Sequence, residues 1–131
     1  MNSDLLRPKF AMSRGLIWVD ENLLNLPDEL EKLNFRVKVV KRGMKDDDIK
    51  EIIVDQRFVT ANEKDFSEDQ DLAAYEYCLI SVRAIQALEP SQIAKKISFA
   101  WKELSLRTKH TCRVSITRGK PTISYPKELE Y

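Results

Sequence analysis

Short apolar runs recur along this chain, each followed by a stretch of helical spacing, and that alternation limits the fold more than any other feature. Leu16-Ile17-Trp18-Val19 follows Gly15 and reads as a strand buried on both faces, ending on Asp20-Glu21-Asn22. A helix follows. Pro27 suits its first turn, Asp28 and Glu29 its positive end, and Leu26, Leu30 and Leu33 share a face, with Asn34 as a left-handed C-cap. Arg36 to Val40 alternates basic and apolar residues, as a second strand does. Beyond the turn Lys41-Arg42-Gly43, Asp46-Asp47-Asp48 opens a short helix carrying Ile49, Ile52 and Ile53. Phe58-Val59-Thr60 is a third strand and Ala61 to Phe66 a polar loop closed by one aromatic. Leu72 to Tyr75 is one helical turn, and Cys78 to Val82 a fourth strand. Pro90-Ser91 starts another helix, with Ser91 as N-cap and Ile93, Ile97, Ala100, Trp101 and Leu104 at helical spacing. Cys112 to Thr117 and Thr122 to Tyr125 flank Arg118-Gly119-Lys120-Pro121 as a β-hairpin. This order predicts an α/β fold with a mainly parallel sheet, helices on both faces and a C-terminal β-hairpin. Met1 to Arg14 lacks periodicity and reads as an N-terminal arm; residues 15–131 form the domain.

Composition narrows the function classes. With 131 residues there is room for one domain, and 43% hydrophobic residues supply enough apolar surface to fold it. Lys+Arg 22 against Asp+Glu 21 excludes nucleic-acid binding driven by overall charge. Residues after Ser91 are nevertheless locally basic, either a solvated face or a phosphate-binding face with Trp101 or Tyr125 to stack a base; Trp101 more readily fits the core. Cys78 and Cys112 are far apart in sequence and His110 is the only histidine, so a structural zinc site is not expected. No signal peptide and no membrane-length apolar run is read, so the expected compartment is a reducing cytoplasm, without membrane association. With Gly 3 in the chain, no glycine-rich phosphate loop is present.

In an open α/β sheet, sites gather beyond the C-terminal ends of the parallel strands. Three polar clusters fall there: Asp20-Glu21-Asn22, Asp46 at a helix start, and Thr60-x-Asn62-x-x-Asp65-Phe66. Carboxylates brought together repel unless a cation offsets them, and hard cations prefer oxygen ligands. With phosphate as a further ligand, that chemistry is metal-assisted phosphodiester hydrolysis. Lys38, Lys41 and Arg42 lie nearest this crevice and are the candidates to guide phosphate or nucleic acid into it. Each cluster also has a structural reading. Asp20 can satisfy backbone amides and Asn22 can cap the next helix. Asp46 to Asp48 can be ordinary helix N-terminal charge, and Thr60 and Asn62 can build a turn over a buried Phe66.

Taken in order, Val19-Asp20-Glu21-Asn22-Leu23, Gly43-x-x-Asp46-Asp47-Asp48-Ile49 and Phe58-Val59-Thr60-x-Asn62-x-x-Asp65-Phe66 resemble the motif series of PIN-like domains. The nearest likeness is to a short bacterial subgroup often linked to toxin–antitoxin operons, over roughly Gly15 to Tyr125. The resemblance implies a three-layer α/β/α fold of PIN-like type and a metal-dependent ribonuclease. By it, Asp20, Asp46 and Asp65 would be catalytic and, with Asn62, would hold Mg²⁺ or Mn²⁺. Asn22, Asp47 and Thr60 would support them. It further implies RNA as substrate and an antitoxin protein as partner; a homodimer is an assembly the sequence allows. The chain departs from the standard domain in lacking a helical segment with a Glu before the second motif, and in carrying the uncharged Asn62. The alternative is therefore a catalytically inactive PIN-like module that binds RNA or a protein partner.

Overall fold

A computed structural model describes residues 15–105 and 111–127; the arm 1–14, His110 and the last four residues lie outside them. The elements run β1 (Leu16–Val19), α1 (Leu26–Lys32), β2 (Arg36–Val39), α2 (Asp46–Ile52), β3 (Arg57–Thr60), α3 (Asp69–Tyr75), β4 (Cys78–Ser81), α4 (Pro90–Ser105), β5 (Cys112–Ser115) and β6 (Thr122–Ser124). Two 3₁₀ turns, Glu63–Asp65 and Arg83–Ile85, follow β3 and β4. The six strands form one sheet in the order β2-β1-β3-β4-β5-β6. All neighbours are parallel except β5 and β6, which form the expected antiparallel hairpin.

Strand parity divides the core in two. Ile17, Val19, Val59, Cys78 and Ile80 face α1 and α4, whereas Phe58 and Leu79 face α2 and α3 with Ile49, Ile53, Phe66 and Leu72. Helices therefore cover both faces, and the short apolar runs are continuous because central strands are buried on each side. The result is a three-layer α/β/α arrangement. No helix among the described residues is long and apolar enough to cross a membrane.

Several local expectations are corrected. Asn22 does not cap α1: the helix is preceded by Asn25 in the left-handed region, with no side-chain capping bond. Asn34 does adopt the expected positive φ, 73°, just beyond the helix. Pro90, not a residue after Ser91, is the first residue of α4. Proline's fixed φ suits that position, which moves the cap back to Glu89, whose N–H donates to Gln92 Oε1 at 3.4 Å in a capping-box contact. The single turn expected at Leu72 to Tyr75 extends back to Asp69, because Asp69 and Asp71 favour the helix N-terminus.

Cys78 and Cys112, distant in sequence, face each other across β4 and β5 with Sγ atoms 3.5 Å apart. Both are buried free thiols, and their mutual hydrogen bond, followed by burial, pushes the Cys78 thiol well above its ordinary pKa. Tyr77 is fully buried, and its hydroxyl donates to the Phe66 carbonyl oxygen. Burial also holds that hydroxyl well above the usual tyrosine pKa, so it remains a donor. Tyr77→Phe strips the carbonyl of its partner inside the core. It is expected to cost about 1–3 kcal/mol, read as a lower urea midpoint at unchanged denaturant slope.

Candidate functional site

The strand order sets the position of the site. The connection from β1 leads to β2 on one side, while that from β3 leads to β4 on the other, so a crevice opens beyond the adjacent ends of β1 and β3. Val19 pairs with Val59, and the Asp20 N–H donates to the Val59 carbonyl at 2.9 Å, which sets Asp20 beside Thr60. The fully buried Thr60 donates its hydroxyl to Asp20 Oδ2 at 2.6 Å and accepts the Asn62 N–H at 2.9 Å. One hydroxyl thus fixes a carboxylate from β1 and the turn that follows β3. The other Asp20 oxygen accepts the Asn22 N–H at 3.3 Å.

Asn62 donates its side-chain amide to Asp65 Oδ2 at 2.6 Å across the 3₁₀ turn. Asp65 in turn meets Asp46 at the start of α2. The Asp46 carboxyl is raised above its ordinary pKa, by burial first, then by the charge of Asp65 and a side-chain hydrogen bond with it. Lys50 opposes the rise and Asp20 adds to it. The three segments singled out in the sequence therefore come near one another, with Asp20, Asp46 and Asp65 electrostatically linked. The structural readings hold as well: Asp20 satisfies a backbone amide, Thr60 builds a turn, and Phe66 is 2% exposed in the core.

Other candidates lie elsewhere. The Asp47 side chain is 93% exposed and stands 4.0 Å from Lys50. Lys50 is itself buried, bonded to Asp71 at 2.9 Å, and ties α2 to α3. Lys38 is exposed on the β2 edge with its ammonium 5.5 Å from the Trp18 ring centroid. Lys41 and Arg42 are exposed in a turn whose Gly43 N–H donates to both carboxylate oxygens of Glu21, at 3.1 and 3.3 Å. Glu21 thereby fastens the basic turn to the acidic triplet, although neither cation lines the pocket. Arg113 is spent on structure, bonding Asp69 at 2.8 Å and the Ser67 carbonyl at 2.9 Å.

Beside Asp20 lies an open pocket of about 440 Å³, lined also by Asn22, Asn62, Lys64, Arg83 and Gln86. Its cations are thus Lys64 and Arg83, which the sequence reading passed over. Arg83 lies just past the apolar run of β4, and the rule that sites sit beyond strand ends could have flagged it. Lys64 lies inside the motif between Asn62 and Asp65.

The donor chemistry suits a hard cation: carboxylates and one amide carbonyl, with a surplus of negative charge that raises the Asp46 pKa. Their present arrangement is knit by bonds among the members themselves, and no three His, Cys, Asp or Glu side chains among the described residues form a group that could hold a metal ion. Set against protein-family models, curated proteins and solved structures, the chain matches none of them.

Proposed function

We propose that the protein is a metal-dependent ribonuclease, with its active centre in the cleft beyond β1 and β3. The observation that carries this reading is the meeting of Asp20, Asp46 and Asp65 at the switch point of the sheet, where their mutual repulsion raises the Asp46 pKa beyond the effect of burial. Asp20, Asp46 and Asp65 would hold Mg²⁺ or Mn²⁺, with the Asn62 carbonyl as a neutral fourth donor. Such an ion would supply Lewis-acid chemistry for phosphodiester hydrolysis. The chain's own part is positioning. Thr60 fixes the orientation of Asp20, Asn62 fixes that of Asp65, and Arg83 and Lys64 stand on the pocket wall to hold a phosphate. The RNA class, the PIN-like family and a role as toxin beside an antitoxin protein rest on the motif resemblance.

One observation favours a second reading, a catalytically inactive module that binds RNA or a protein. The acids do not form a ready three-ligand group, and Asn62 brings no charge. Incubation of single-stranded RNA with the protein and Mn²⁺ separates the two. The expected result is cleavage that stops in EDTA, with calorimetric Mn²⁺ binding below millimolar concentration. RNA left intact, together with no Mn²⁺ binding at millimolar metal, would overturn the nuclease reading and favour the binding module.

A further inference from the structure

On the other side of the loop that joins β4 to α4 lies a larger groove, about 920 Å³, between α4 and the β5–β6 turn. Among the described residues four cations line it, Lys95, Lys96, Arg118 and Lys120, against the single acid Glu103. Lys96 donates to the Arg118 carbonyl at 2.8 Å and so pins the turn to the helix. Lys95, Arg118 and Lys120 take part in no ion pair among the described residues. Between them stands Phe99, 59% exposed on an otherwise polar helix face, one turn from Lys95. The exposed ring thus shares the groove with positive charge on the helix and on the turn.

We infer that this groove binds single-stranded RNA, with a base stacked on Phe99 and phosphates held by Lys95, Arg118 and Lys120. Charge complementarity selects an anion, and the exposed ring selects an anion that carries flat apolar faces. Unstacked bases present such faces, whereas a paired duplex hides them. Continuity selects RNA over an acidic peptide. Gln86 lines the pocket beside Asp20 and Leu88, two residues on, lines the groove, so the stretch from Arg83 to Leu88 joins the two recesses. The Arg83 to Leu88 stretch and the β5–β6 turn each follow the C-terminal end of a parallel strand, as Asp20 does. A strand lying in the groove would run on past Arg83 toward Asp20. This choice of occupant rests on the reading of the cleft as an RNA-cleaving centre, whereas the binding itself needs no metal.

The test is fluorescence anisotropy of a labelled uridine decamer, in EDTA, with the full chain. Phe99→Ala is expected to weaken binding about five- to a hundred-fold, the range for loss of one base–aromatic stack. Because Phe99 is largely exposed, its melting curve should stay in place. Lys95→Glu with Lys120→Glu should weaken binding further and reduce the slope of log K against log salt by about 1.4, at roughly 0.7 per lost phosphate contact. Binding is read in EDTA, apart from any cleavage, so a failure of the cleavage reading leaves this result intact. Unchanged affinity in Phe99→Ala and in the double charge variant would overturn the groove, even if RNA were cleaved. Displacement of the RNA by oligoglutamate of equal charge, as effectively as by unlabelled decamer, would also overturn it in favour of an acidic peptide.

Discussion

Asp20→Asn is expected to slow Mn²⁺-dependent cleavage of single-stranded RNA at least about a hundred-fold, and to leave the folded protein no less stable at pH 7. The two halves of this expectation come from the same geometry. An Asn at position 20 keeps one oxygen to accept the Thr60 hydroxyl, the short 2.6 Å bond, and forfeits mainly the long 3.3 Å contact from the Asn22 N–H. What disappears is the charge. Asp46 is raised above its ordinary 3.8 by burial, by Asp65 and, in smaller part, by Asp20. A carboxyl raised in the folded state binds more protons folded than unfolded. Stability therefore falls as pH climbs from the unfolded value through the raised one, and the penalty is complete above it. Removing the Asp20 charge relieves part of that penalty. The gain in melting temperature should be largest near neutrality and should fade as pH drops toward 3.8. Thermal melts from pH 3 to 8 beside cleavage assays check both halves. Full cleavage by the variant would end the assignment of Asp20, and lost cleavage with a lowered melting temperature would make its role structural.

Which parts of this architecture a reader could find in the sequence follows from the range of the forces involved. Strands and helices are local in origin. Cys78-Leu79-Ile80 reads as a buried strand because each residue must satisfy one of two apolar layers, and the parity that sends Leu79 to one and its neighbours to the other is fixed by the chain itself. Strand order is a different matter. Nothing in Leu16–Val19 says that β3 will lie beside it, and on that adjacency depend both the Thr60–Asp20 bond and the crevice above it. The same nonlocal pairing brings Cys78 to Cys112. Position relative to a strand end was enough to put Asp20, Asp46, Asn62 and Asp65 in segments that follow strands, because that much holds wherever the strands go. It could not find Lys50, which a sequence shows as one more surface lysine. Its burial is tolerable only because Asp71 approaches from α3 to 2.9 Å. Nor could it sort the cations: Lys41 and Arg42 are near the acidic triplet along the chain's turn, yet Arg83 reaches the pocket from the end of β4, two strands from β1.

Trp101→Ala is expected to cost about 3–5 kcal/mol, the range for deleting a large buried aromatic, and to lower the melting temperature by roughly 10–20 °C. The ring is 7% exposed and touched on every side. Phe35 meets it edge-on with centroids 4.9 Å apart, and the Arg57 guanidinium lies 4.4 Å from its centroid. Gly15, at φ 121°, comes so close that a Cβ there would stand 2.9 Å from the indole. Loss of the indole empties this space and also uncovers Arg57, whose Nε has no hydrogen-bond partner among the described residues and relies on the ring face. Trp101→Phe should recover part of the loss by restoring a flat surface for Arg57, and Gly15→Ala should be destabilising from the opposite wall. Urea unfolding followed by far-UV circular dichroism measures all three. The comparison with Phe99 then decides which aromatic of α4 meets a base. Phe99→Ala should lose RNA affinity at unchanged stability, and Trp101→Ala should lose stability at unchanged affinity per folded molecule. A Trp101→Ala protein that stays stable but binds RNA weakly would place the indole on the binding surface and remove it from the core.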